Sequence, residues 1–221
     1  MDKPKIILFD IDHTLFNTPI LKKMINNKIK SKVDSKRFRN INEIIDNVLF
    51  KSSEETGYFN PKHFIARINT ELKLNLPLGF INESLDYDSL HKNYYKDVKE
   101  VLVKLSTENN LSVGIFSGGD IAFQKSKIKF IKHLLHKSHI HIFLKKELEV
   151  KKIINRYRDH KLFIVDDWLS ILEKSKKINE NITTIWIKRK NNEFKEKKKT
   201  KFSPDYVLSD LRRVISIVKN N

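Results

Sequence analysis

Apolar residues along the chain fall into short continuous runs separated by longer stretches with helical spacing. Residues 5–9 (KIILF), 111–116 (LSVGIF), 162–165 (LFIV) and 183–187 (TTIWI) read as buried strands, and HIHIF at 139–143 is a less apolar fifth run. Between them, residues 94–105, 121–135 and 147–157 repeat apolar positions at helical spacing. A last helix is predicted over 204–218, with Pro204 suited to its first turn. Strands alternating with helices predict an α/β fold: a Rossmann-like parallel sheet with helices on both faces. Residues 17–96 break that rhythm. They show helical patterning at 43–50 and 61–72 and no buried strand, which predicts an inserted helical cap between a discontinuous core of residues 1–16 and 97–221.

Bulk composition narrows the classes. The 221 residues are 39% hydrophobic and 10% aromatic, enough for a packed core. There is no cysteine, which excludes disulfides and thiolate chemistry and fits a reducing cytoplasm. No apolar run approaches a membrane span, so a cytoplasmic protein without membrane association is expected. The net charge of +17 is bunched: residues 21–40 carry eight Lys or Arg against one Asp, and 188–201 carry eight against two Glu. Such tracts attract phosphate backbones. They lack interleaved aromatics, however, and the whole chain is rich in Lys, Asn and Ile. Nucleic acid is therefore not the favoured partner, and 190–201 reads as a solvated charged loop.

The chemistry collects at strand ends, where open parallel sheets bind ligands. The first strand runs into Asp10, Asp12 and Thr14; the 111–116 strand into Ser117, Gly118, Gly119 and Asp120; the 162–165 strand into Asp166 and Asp167. Residues two apart on an extended strand share a face, which groups Asp10 with Asp12. So many carboxylates in one crevice repel one another, and a hard cation such as Mg²⁺ relieves that repulsion through oxygen ligands. Helix capping by acidic residues would account for one such strand end, but not readily for three.

These residues resemble the haloacid dehalogenase (HAD) superfamily of hydrolases. DIDHT is similar to its DxDxT signature, FSGGD to its second motif and VDD to its acidic fourth motif; FQKSKI and PDYVLSDL also have the family's look. The 17–96 segment resembles a C1 cap in placement and length. The third motif, a lysine, falls within LKKELEVKK: Lys146 and then Lys145, right after HIHIF, are preferred over Lys151 and Lys152 inside the next helix. The resemblance implies a Mg²⁺-dependent phosphatase acting on a small phosphorylated metabolite. Asp10 is then the nucleophile and Asp12 the general acid and base. Thr14, Ser117, Gly118 and the lysine hold the phosphoryl group. The metal ligands are Asp10, Asp12 through its backbone carbonyl, Asp166 and Asp167. The acid at position 12 favours phosphate chemistry, since dehalogenating relatives lack it. Alternatives are a nucleic-acid end phosphatase using the basic surface, a phosphomutase, and a non-catalytic HAD-like binding protein. His13 is expected to be structural and turned away from the two acids, and His139 and His141 to pack or face solvent. Trp168 is a candidate pocket residue, with packing at least as favoured. The 55–64 stretch is the cap's candidate substrate-facing loop, with a plain helix-to-helix connection preferred.

Overall fold

The computed structural model of the chain describes residues 3–34, 40–83, 85, 87–190 and 201–221. The chain begins with β1 (Lys5–Phe9), then α1 (Thr18–Lys30), α2 (Ile41–Thr56), α3 (Pro61–Leu72), α4 (Phe80–Glu83) and α5 (Tyr87–Lys92). It continues through α6 (Val98–Ser106), β2 (Leu111–Gly118), α7 (Ile121–Lys127), β3 (Ile140–Phe143) and α8 (Lys146–Arg156). The last part holds β4 (Lys161–Asp166), α9 (Leu169–Ile178), β5 (Thr183–Ile187), β6 (Tyr206–Leu208) and α10 (Arg212–Asn220). The strands form one sheet in the order β3-β2-β1-β4-β5-β6, with every neighbouring pair parallel. The Rossmann-like α/β layering expected from the sequence is what the chain adopts.

Strand alternation sorts the core into two layers. Ile7, Phe9, Phe163 and Val165 point to the side of α6 and α10, where they pack with Val101, Leu105, Val214 and Val218. Ile6, Leu8, Leu162 and Ile164 point the other way, onto Val150 and Ile154 of α8 and Leu172 of α9. Both faces are apolar, which is why these strands read as continuous runs. Burial of each such side chain contributes roughly 1.5–3 kcal/mol.

The chain leaves the sheet after Phe16 and returns at Tyr94, and the outgoing and returning segments lie side by side. Asn17 N–H donates to the Asn93 carbonyl (2.6 Å) and Tyr95 N–H to the Leu15 carbonyl (3.2 Å). The Phe16 and Tyr94 rings meet edge to face at 5.4 Å. Between the two segments, α1, α2 and α3 bury Leu21, Ile25, Ile29, Val48, Phe64 and Ile68 in a layer continuous with the core.

Three elements differ from the sequence reading. The 94–105 helix starts only at Val98, because Tyr94 and Tyr95 belong to the returning segment. The 121–135 helix stops at Lys127, and only a short 3-10 turn (Lys132–Leu134) follows. The Tyr94 hydroxyl donates to the Lys127 carbonyl, the acceptor to which the Ile131 N–H would donate if the helix continued. The Ile131 N–H donates to Ile128 instead (3.1 Å). Finally, the 204–218 helix is split into β6 and α10. Asp205 accepts from the Thr184 N–H (2.8 Å) and hydroxyl (2.7 Å), pinning this segment to β5 as an edge strand. The predicted charged loop at 190–201 lies almost wholly outside the described residues, as do positions 35–39 of the first basic tract.

Candidate active site

The register puts Phe9 beside both Ile115 and Val165, so β1, β2 and β4 end together where the strand order reverses. Asp10 N–H donates to the Val165 carbonyl at 2.9 Å, which continues the ladder one residue past β1 and holds Asp10 next to Asp166. Asp10, Asp166 and Asp167 are all buried, and one carboxylate oxygen from each lies within 4.8 Å of the others. Lys146 opens α8 and is itself buried. Its Nζ bridges Asp10 Oδ1 (2.6 Å) and Asp166 Oδ2 (2.8 Å). Burial alone would lower the Lys146 ammonium; the facing carboxylates of Asp10, Asp166 and Asp167 outweigh it and hold the pKa above the ordinary lysine value. Burial raises the Asp166 carboxyl despite Lys146 and a hydrogen bond from the Trp168 N–H (2.8 Å). Three carboxylates against one ammonium leave the cluster net negative, and oxygen-only donors suit a hard divalent cation.

Asp12 stands apart. It is absent from the acidic cluster, and its carboxylate is clamped from three sides. Lys127 Nζ reaches both oxygens (2.7 and 2.8 Å), Gln124 Nε2 donates to Oδ2 (2.7 Å), and the Thr18 hydroxyl donates to Oδ1 (2.5 Å). Burial works to raise its pKa, but Lys127 and these hydrogen bonds bring it down to about 2. The same Gln124 amide also donates to the Gly118 carbonyl (2.7 Å), tying the end of β2 to the first loop. Lys127, Gln124 and Thr18 were not foreseen. Two signals in the sequence bear on Gln124 and Lys127: both fall within FQKSKI, and they are three apart and so share a face of α7.

The other expected residues take varied places. Thr14 and Ser117 are buried and do not line the crevice over Asp10 and Asp12, and neither hydroxyl has a hydrogen-bond partner among the described residues. An unmatched buried hydroxyl is costly, which marks both as polar groups that the fold itself does not satisfy. Gly118 borders the crevice, and a Cβ there would sit 3.3 Å from Lys146 Cγ. Lys145 lies elsewhere: it extends toward the α2–α3 turn, where a Cβ on Gly57 would come within 2.9 Å of its Cε. Gly57, at φ 75°, is left-handed, and it is this backbone conformation that favours glycine in the turn, since the Lys145 side chain could move aside. Lys151 and Lys152 lie inside α8 and are exposed.

Arg189, counted in the second basic tract, is buried under the first loop. It forms a two-pronged ion pair with Asp97 (2.7 and 3.1 Å) and donates to the Thr14 carbonyl (2.8 Å). That charge supports the Asp10–Thr14 loop instead of a surface.

A crevice of about 380 Å³ opens over Asp10, Asp12, Gly118 and Lys146. Its far wall is Gly57, Tyr58 and Phe59, so the 55–64 loop is a helix connection that also faces the crevice. Trp168 borders it too, with its ring 5.6 Å from Lys146 Nζ. His13 is buried, as a structural residue would be, yet it borders the same crevice as Asp10 and Asp12. Its φ of 56° turns the loop back on itself, with His13 N–H on the Phe16 carbonyl (2.9 Å). His139 and His141 both bond the Tyr157 hydroxyl (2.8 and 2.6 Å), and neither lines the crevice.

No protein-family model matches the chain, and no curated protein sequence matches it. Solved structures do. The chain is similar to a protein described as a haloacid dehalogenase-like hydrolase of Burkholderia xenovorans LB400, at 20% identity with a TM-score of 0.77, over 99% of this chain and 98% of that one. It is also similar to the magnesium-bound HAD-hydrolase YfnB of Bacillus subtilis (12% identity, TM-score 0.63, covering 98% and 99%). A third is the L-2-haloacid dehalogenase of Xanthobacter autotrophicus with chloropropionic acid covalently bound (12%, TM-score 0.58, 99% of both chains). The fold is that of the HAD-like hydrolases. Among the described residues, no helix is long and apolar enough to cross a membrane.

Proposed function

We propose that the protein hydrolyses a small phosphomonoester through an aspartyl-phosphate on Asp10, with Mg²⁺ as cofactor and residues 17–96 as a cap over the crevice. The observation that carries this reading is the division of labour between Asp10, in the acidic cluster with Lys146, and Asp12, held outside it with a carboxylate free of that cluster. A dehalogenase needs only the first. Asp10, Asp166 and Asp167 would hold Mg²⁺ through their side chains and Asp12 through its backbone carbonyl. When bound, the ion offsets the charge that opposes attack on an anionic phosphorus.

In the first step an Asp10 oxygen bonds to phosphorus, the bond from phosphorus to the alcohol oxygen breaks, and Asp12 gives its proton to that oxygen. In the second, water attacks phosphorus and passes a proton to Asp12. The bond from phosphorus to Asp10 then breaks, which restores both residues and releases inorganic phosphate. The Lys127 clamp keeps Asp12 ionised and so ready for the second step. For the first step the incoming phosphoryl charge must raise its pKa as the clamp loosens. Lys146, Thr14, Ser117 and the Gly118 backbone would hold the phosphoryl oxygens; Lys145, facing Gly57, is assigned to the cap side instead.

Phosphate release from a broad panel of phosphorylated sugars, nucleotides and simple esters, with and without Mg²⁺, tests the proposal. Release that requires Mg²⁺ is expected. A folded protein that releases phosphate from none of them would favour a binding protein on the same scaffold. Terminally phosphorylated oligonucleotides are expected to be poor substrates, because the crevice is walled by the 57–59 turn.

A further inference from the structure

Beyond the acids, the crevice adjoins a second chamber of about 240 Å³ between the loop and the helices α1, α2 and α3. Asp12, Thr18, Phe59 and Lys127 border both spaces, whereas Asp10 and Lys146 border the crevice alone. The chamber walls are mainly apolar, with Pro19, Leu21 and Ile25 of α1, Leu49 of α2, Phe64 of α3 and the connecting Phe59; His13, Asn26 and Ser53 add polar edges. Phe59 packs against both Phe64 (5.6 Å) and Phe123 (5.5 Å), which makes an aromatic wall. The charged groups bordering the chamber are already paired, Lys127 with Asp12 and Lys22 with Asp46 (3.0 Å).

This geometry sets a direction for the substrate. If phosphorus meets Asp10 and the leaving oxygen meets Asp12, the remainder of the alcohol continues past Asp12 into the chamber. We infer that the substrate is the phosphomonoester of an apolar alcohol, alkyl or aryl, whose hydrocarbon body fills the space between Pro19, Ile25, Leu49 and Phe64. A sugar or a second phosphate there would give up its water for walls that offer few partners. The inference rests on the phosphatase reading for the placement of the phosphoryl group.

Binding of alkylphosphonates, which cannot be hydrolysed, tests it without turnover. Affinity for methyl-, propyl- and hexylphosphonate would be measured by calorimetry on the full chain with Mg²⁺, with inorganic phosphate as reference. Affinity should rise about three- to fourfold per methylene. The rise should flatten in Ile25→Ser; the half-buried Leu49→Gln is the second variant should Ile25→Ser not fold. A flat series in the wild type, beside brisk phosphate release from sugar phosphates, would overturn the chamber assignment and leave the phosphatase standing. A rising series in a protein that hydrolyses no ester would do the reverse.

Discussion

Asp10 and Asp12 are two residues apart on one loop and meet opposite surroundings. Asp10 shares a lysine with a second buried acid and lies within 4.8 Å of a third. Asp12 has a lysine to itself, with an amide and a hydroxyl completing the clamp. One residue type thus acquires two functions from its neighbours: a crowded acid that calls for a cation, and a solitary one whose proton is governed by a single ammonium. The chain bends at Ile11, just past the end of β1, and both acids border the crevice, but α7 and α8 decide what each can do there.

The largest effect that would sharpen this comparison is on Asp12. Asp12→Asn keeps the clamp's shape but can neither give nor take the proton, so turnover of an alkyl phosphate should fall by about 10²–10⁴. An aryl phosphate, whose leaving group needs little protonation, should lose less in the first step. Equal losses for both, measured as single-turnover rates, would break the assignment of Asp12 as acid.

Next comes the metal side. Asp166 accepts from Lys146 and from the Trp168 N–H, which fixes its carboxylate toward Asp10. Asp166→Ala should raise the Mg²⁺ concentration needed for half-maximal activity by about tenfold or more, and further than Asp167→Ala does. Equal shifts would mean that the two acids share the anchor.

Lys127→Met probes the clamp. It removes the ammonium from Asp12 and leaves a partly buried carboxylate short of partners, at a stability cost of about 1–3 kcal/mol. Without that charge the Asp12 pKa rises from about 2, so the acid limb of the pH–rate profile should move upward. An unmoved limb would show that Lys127 merely packs.

The smallest effect lies outside the crevice. Burial, with nearby His136 and Arg156 adding to it, lowers His139 to about 4; burial and Arg156 do the same for His141. Between pH 6.5 and 4 the unfolded chain therefore takes up protons that the folded one refuses. Stability should fall as pH drops through this window and level off below it. Thermal melts should show that fall in the wild type and less of it in a His139→Gln, His141→Gln variant.

The sequence revealed these regions unevenly. β1, β2 and β4 were legible because buried parallel strands are unbroken apolar runs, and their acidic or hydroxyl ends stand out against them. Lys146 was legible as one of two neighbours; the start of α8 turns it inward and leaves Lys145 to the cap side. Lys127 was not, because a lysine on a helix of KSKIK type looks solvated until a buried carboxylate faces it. α1 was hidden for a similar reason: Lys and Asn surround the spaced Leu21, Ile25 and Ile29. β6 was misread because Pro204 suits a helix start, and only Asp205 on Thr184 reveals the edge strand.

The central claim is a covalent phosphoryl group on Asp10. Rapid acid quench of the Asp12→Asn variant with an aryl phosphate and Mg²⁺, followed by mass spectrometry of its peptides, tests it directly. The account predicts a phosphoryl group on the peptide that carries Asp10, and none when Asp10→Asn is added. A phosphoryl group on another residue, or wild-type turnover in a folded Asp10→Asn protein, would contradict it.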